Sequence, residues 1–149
     1  MTTGPMVTAQ FRRILVGWDC SAGAAAALRA AAAIAADGAT HIVVLAVLKP
    51  APHTEDAQEG TADFDGRQRF AQESFDKARQ GMPQTRARMT MQVVQSSDPA
   101  RAVCEYAQEH GFDLLVLGRH GTGGVFHPKL GHVAATAARQ CSLPVMLAP

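Results

Sequence analysis

Short apolar segments punctuate the chain, and helical spacing fills most of the stretches between them. Ile14-Leu15-Val16-Gly17-Trp18 and Ile42-Val43-Val44-Leu45-Ala46-Val47-Leu48 are continuous apolar runs. That pattern suits strands buried on both faces of a parallel sheet. Leu114-Leu115-Val116-Leu117 is another such run, and Pro144-Val145-Met146-Leu147 predicts a closing strand. Met89, Met91 and Val93 alternate with Arg88, Thr90 and Gln92. This period of two predicts a strand with a more polar face, near a sheet edge.

Helix signals lie between these runs. Ser21 offers an N-cap, Ala22 to Ala36 is almost all small helix formers, and Gly38 is a stop signal. Pro50, Pro52 and Gly60 mark residues 50–63 as a polar loop, and Ala71, Phe75, Ala78 and Met82 predict a helix from Phe64 to about Gly81. Asp98-Pro99 opens a helix whose stripe is Val103, Tyr106, Ala107 and His110, with Gly111 ending it. Leu130, Val133, Ala134, Ala137, Ala138 and Cys141 form the stripe of a last helix. The order β-α-β-α-β-α-β-α-β predicts a single doubly wound, five-stranded parallel sheet with helices on both faces and right-handed crossovers. Ligands of such sheets bind beyond the carboxyl ends of the strands, at the topological switch point.

Composition narrows the function classes. A chain of 149 residues is one domain; we expect residues 12–149 to form it and residues 1–11 to be a flexible leader. A net charge of +1 and 5% aromatic residues argue against a nucleic-acid partner. No apolar run approaches the roughly 18 residues of a membrane span. Phe11-Arg12-Arg13 faintly suggests a twin-arginine signal, but Asp19 interrupts the apolar run that would have to follow. Three cysteines, Cys20, Cys104 and Cys141, make no even-numbered framework, so we expect reduced thiols and a cytoplasmic protein. Cys104 and Cys141 fall on apolar stripes and read as core.

The candidate chemistry follows the fourth apolar run. Gly118-Arg119-His120-Gly121-Thr122-Gly123-Gly124 sits between a strand and a helix. Glycine-rich backbone can converge its N–H groups on an anion, and the helix amino terminus adds unpaired donors. Arg119, His120, His127, Lys129 and His132 add positive or protonatable groups, so phosphate is the natural guest. The loop lacks the Lys-[Ser/Thr] pair of a Walker motif, and Gly17 is not followed by the rest of a dinucleotide fingerprint. Asp19 ends the first strand, where a carboxylate can accept from a ribose hydroxyl or a base amino group, or serve a turn or cap. His120, His127 and His132 lack a compact metal motif, so no metal centre is expected.

Ile14 to Ser21, Asp113 to Gly118, Ser142 to Leu147 and the spacing Gly118-x2-Gly121-x9-Gly131 together resemble the universal stress protein family over residues 12–149. The resemblance implies an adenine nucleotide alpha hydrolase-like fold and a bound adenine nucleotide, ATP foremost, with Mg²⁺ as a possible companion. It places Asp19 near the nucleoside and the Val47 main chain at adenine. Gly118, Gly121 and Gly131 become the phosphate-cradling glycines, with Arg119 in the same loop. His132 stands where the family has a phosphate-binding Ser or Thr, and Ser97 where it usually has Gly. The resemblance also implies a homodimer through the closing strand, Val145, Met146 and Leu147. A regulatory or sensing role follows. The alternatives are a member acting through protein contacts without nucleotide, which His132 favours, and a slow phosphohydrolase, for which the sequence offers no evident acid pair for Mg²⁺.

Overall fold

The computed structural model describes residues 11–35, 38–50, 57–82, 85, 87–120 and 130–149, with only the backbone of residues 57–62. The sheet runs through β1 (Arg13–Trp18), β2 (His41–Leu48), β3 (Arg88–Gln95), β4 (Leu114–Gly118) and β5 (Val145–Ala148). Its spatial order is β3-β2-β1-β4-β5, with every pairing parallel. The chain therefore reverses its direction of winding between β1 and β4, which is the switch point of a doubly wound sheet. The alternating strand expected near an edge is the edge strand β3.

Side-chain alternation divides the core into two layers. Ile14, Val16 and Trp18 of β1 and Ile42, Val44 and Ala46 of β2 meet helices α1 (Ala22–Ile34) and α2 (Ala57–Gln80). Leu15, Val43, Leu45, Leu115 and Leu117 meet α3 (Pro99–Glu109) and α4 (His132–Gln140) on the opposite face. β1, β2 and β4 read as unbroken apolar runs because both of their faces are covered. Of the leader, only Phe11 is described; it packs against the α1–α2 layer, and its carbonyl accepts from Thr40 Oγ1 at 2.9 Å.

Helix ends follow local chemistry. Ala24 N–H donates to Ser21 Oγ at 3.1 Å, and Arg101 N–H donates to Asp98 Oδ1 at 3.2 Å. Gly111 takes φ +67°, the left-handed turn that ends α3, whereas α1 ends on an extended C-cap, Ala35, and Gly38 takes φ +71° further along the connection to β2.

Three expectations need correction. First, α2 begins at Ala57, inside the stretch predicted as loop. A lone glycine costs a helix only about 1 kcal/mol, and the Asp63–Arg67 pair at 3.0 Å supports the early turns. Second, α4 begins at His132, with Gly131 as its extended N-cap, so Leu130 precedes the helix and is exposed, as is Ala138. Third, Cys104 and Cys141 are not separate thiols: they form a disulfide, with their Cα atoms 5.3 Å apart. An odd cysteine count concealed the pair, because Cys20 is the free one. Cys104 is buried as expected, at 6% exposure.

At the amino end of the sheet, Arg13, His41 and Arg88 are register partners on neighbouring strands. Burial, then Arg88, then Arg13 push the His41 pKa below its ordinary 6.5. Its Nε2 lies 2.7 Å from Thr90 Oγ1. The unfolded chain thus binds a proton more readily, so this contribution is complete above pH 6.5 and is lost as pH falls towards the folded-state value. Thermal melts from pH 7.5 to 5 should show a shallower decline for His41→Gln than for the parent; parallel declines would contradict the assignment.

Candidate functional site

At the carboxyl ends of the strands, β1 leaves the sheet through Asp19, Cys20 and Ser21 to enter α1. Cys20 adopts φ +65°, a left-handed conformation unusual for a residue with a side chain. Asp19 Oδ1 accepts from the Ser21 N–H at 3.0 Å and from the Ser21 hydroxyl. Asp19 therefore braces the residue that caps α1. It is exposed, and its Oδ2 accepts no hydrogen bond among the described residues.

Beyond this turn is a cavity of about 610 Å³. Trp18, Asp19 and Cys20 form one wall, and Ala46, Val47 and Leu48 form the floor. Five α2 residues, Asp63, Gly66, Arg67, Phe70 and Ala71, form the other wall. Val47 is placed by strand geometry. His41 N–H donates to Arg12 O on the β1 side, whereas Leu48 O accepts from Ser96 on the β3 side. Main-chain groups alternate along a strand, so Val47 directs its N–H and C=O towards β1. It lies one residue beyond the last β1 partnership, Trp18 with Ala46.

Two cavity residues carry buried donors with no acceptor among the described residues: Trp18 Nε1 and Arg67 Nη2. Trp18 is 5% exposed and meets Phe75 edge-on, with ring centroids 6.2 Å apart. Phe70, in contrast, is 64% exposed beside the cavity. An aromatic, partly apolar recess with unmatched donors suits a flat heterocycle rich in acceptors.

The loop after β4 packs on the start of α1. A Cβ on Gly118 would lie 2.6 Å from the Gly23 carbonyl group, and one on Gly23 would lie 2.3 Å from His120 O. Backbone meets backbone here, so both positions require glycine for packing. Arg119 is exposed; its N–H donates to Ala148 O at 2.9 Å, and its carbonyl accepts from Gly131 N–H at 2.7 Å. Gly131 N-caps α4 without a side-chain acceptor, and His132 is exposed at the first helical position. The first turn of α4 therefore presents main-chain N–H groups with no side-chain cap.

Asp19 and Val47 thus meet in one cavity, while Gly118, Arg119, Gly131 and His132 form a second group joined by hydrogen bonds and packing. Gly121, His127 and Lys129 lie outside the described residues. The sequence reading missed Trp18, Gly23 and the α2 wall. Asp63, Gly66, Arg67 and Phe70 do share one helical face, a spacing visible once the helix is extended back to residue 57.

The family model described as the universal stress protein family matches residues 10–149. The universal stress protein UspA from Lactobacillus plantarum is 20% identical with a TM-score of 0.79, covering 94% of this chain and 99% of its own. A universal stress protein in complex with cAMP is 25% identical with a TM-score of 0.63, covering 93% and 96%. An Arabidopsis thaliana family protein with AMP bound is 16% identical with a TM-score of 0.56, covering 91% and 90%. No curated protein matches the sequence. Among the described residues, no helix is long and apolar enough to cross a membrane.

Proposed function

The chain belongs to the universal stress protein family, and from that premise we propose that it binds an adenine nucleotide, ATP foremost, in a regulatory or sensing role in the cytoplasm. The observation that carries this reading is the cavity at the carboxyl end of β2, where Val47 turns its main-chain groups past the end of β1. A main-chain N–H and C=O side by side match the acceptor and donor edge of adenine. Trp18 and Phe70 supply aromatic surface for the base. Asp19 Oδ2 is available to a ribose hydroxyl, while Oδ1 keeps α1 capped. The phosphates belong with Gly121, the uncapped first turn of α4 and Arg119, where helix donors and positive charge favour an anion. Mg²⁺ enters this reading as the counter-ion of the triphosphate. The bound relatives support the ligand class: cAMP in one and AMP in the other.

A second reading, action through protein contacts without nucleotide, is favoured by one observation. The Gly131 N–H already donates to Arg119 O, and His132 replaces the hydroxyl implied by the family pattern. Denaturing the purified protein and identifying released small molecules by mass, followed by calorimetric titration with ATP, AMP, cAMP and GTP, separates the two. Adenine nucleotides should bind and GTP should bind at least tenfold more weakly, because guanine presents the reverse polarity to Val47. An empty protein that ignores all four would overturn the nucleotide reading and support the second.

We also propose a homodimer through β5. This strand is a sheet edge, and Val145, Met146 and Leu147 on it are only half-buried. An open apolar edge favours two-fold pairing. Light scattering should show a dimer for the parent and a monomer for Met146→Lys; a monomeric parent at high micromolar concentration would contradict the proposal.

A further inference from the structure

The disulfide joins two helices that pack in one core layer, Val103, Tyr106 and Ala107 on α3 and Val133 and Ala137 on α4. Cys104 lies midway along α3, and half-buried Cys141 is the C-cap of α4. The fully buried residues of α4 are Ala134, Thr136 and Ala137, and Val133 packs partly buried against the same layer. An exposed hydrogen bond from Gln108 Nε2 to Ser142 Oγ at 2.8 Å also ties α3 to the segment just after α4. The covalent link therefore adds a fixed point at the carboxyl end of α4 to that packing. At the far end of the same helix, about 14 Å away for 9 residues, are Gly131 and His132. A short rigid helix fastened at its carboxyl end has its amino end positioned too.

We propose that Cys104 and Cys141 are a redox-active pair that exchanges with external thiols, and that its oxidised form holds the α4 amino terminus where it meets the nucleotide phosphates. The second clause rests on the nucleotide reading above; the first does not. The pair is open to exchange from one side, because Cys141 at the α4 C-cap is half-buried while Cys104 is 6% exposed. Cys141 is the more exposed residue of the pair, so an external thiolate attacks its sulfur. The Cys104–Cys141 bond breaks, Cys104 leaves as a thiolate and takes up a proton, and a mixed disulfide remains on Cys141. A second external thiolate attacks that bond at the external sulfur and frees Cys141. In balance, one protein disulfide and two thiols give two cysteine thiols and one external disulfide. Cys20 takes no part, because it packs on the opposite face of the sheet.

The test uses the full chain, oxidised with glutathione disulfide or reduced with dithiothreitol, with the state of each cysteine read by alkylation and peptide mass. On reduction, the amides of residues 133–140 should exchange hydrogen about tenfold faster, and ATP should bind about tenfold more weakly. Cys104→Ser should match the reduced state and cease to respond to reductant. Equal exchange of α4 in both states overturns the pair as a conformational device, whether or not ATP binds. A protein that glutathione disulfide cannot oxidise overturns it as a redox pair. Faster exchange on reduction with equal, measurable ATP affinities overturns the coupling to nucleotide. Faster exchange with no ATP binding in either state supports the first clause and overturns the nucleotide reading on which the second depends.

Discussion

Gly118→Ala should destabilise the protein by about 3 kcal/mol, the size expected when an added methyl group must displace packed backbone. The new Cβ would lie 2.6 Å from the carbonyl carbon and oxygen of Gly23 and 2.8 Å from its Cα. None of these atoms can rotate aside as a side chain could. Either α1 must move away from β4, or β4 must bend. Both responses disturb Leu28, Ala27 and Ala31, which are fully buried in the layer beneath. In a domain of this size, such a loss lowers the melting temperature by about 6–12 °C. Gly81 provides the comparison: its nearest atoms to an added Cβ are at 3.7 Å, so Gly81→Ala should stay within about 0.5 kcal/mol of the parent. Thermal melts of the two variants check this, and equal melting temperatures would contradict the close contact.

Gly66→Leu should do the reverse, leaving the fold intact and closing the cavity. Gly66 lies on α2 in the cavity wall, and an added Cβ there meets nothing within 4 Å. A glycine inside a helix costs roughly 1 kcal/mol relative to a good helix former, so the variant should be more stable by a few tenths to about 1 kcal/mol. Its side chain would occupy the space between Asp63 and Phe70 assigned to the base. Adenine-nucleotide affinity should fall at least tenfold, which is about 1.4 kcal/mol. Calorimetric titration beside a urea melt reads both effects. Undiminished affinity in a stably folded variant would remove the base from this cavity.

The contrast between these glycines shows how far the sequence could be read. β1, β2 and β4 were legible because burial on both faces leaves unbroken apolar runs, and β3 because one more polar face imposes alternation. Glycine after β4 was legible as a position needing a bare backbone, but a close approach to α1 and an approach to phosphate produce the same signal. Only the position of Gly23, some 95 residues earlier in the chain, reveals that packing already demands glycine at Gly118. The α2 wall was hidden for a related reason. Its first turns are polar and contain Gly60 and Gly66; the Asp63–Arg67 pair supports them, and Ala71 and Phe75 in later turns anchor the helix in the core. Asp19 and Val47 were legible as strand-end residues; that they share a cavity follows from the neighbouring placement of β1 and β2. The cysteine pair was hidden by arithmetic, since three cysteines do not announce which two will meet.

Trp18 makes the central claim directly measurable. It is the single tryptophan of the chain and lines the cavity with its indole N–H unmatched among the described residues. Its fluorescence should change saturably as ATP is added to the parent protein, and the same titration of Gly66→Leu should show at least a tenfold weaker response. No saturable change in the parent, or the same binding curve in both proteins, would contradict an adenine nucleotide at this site.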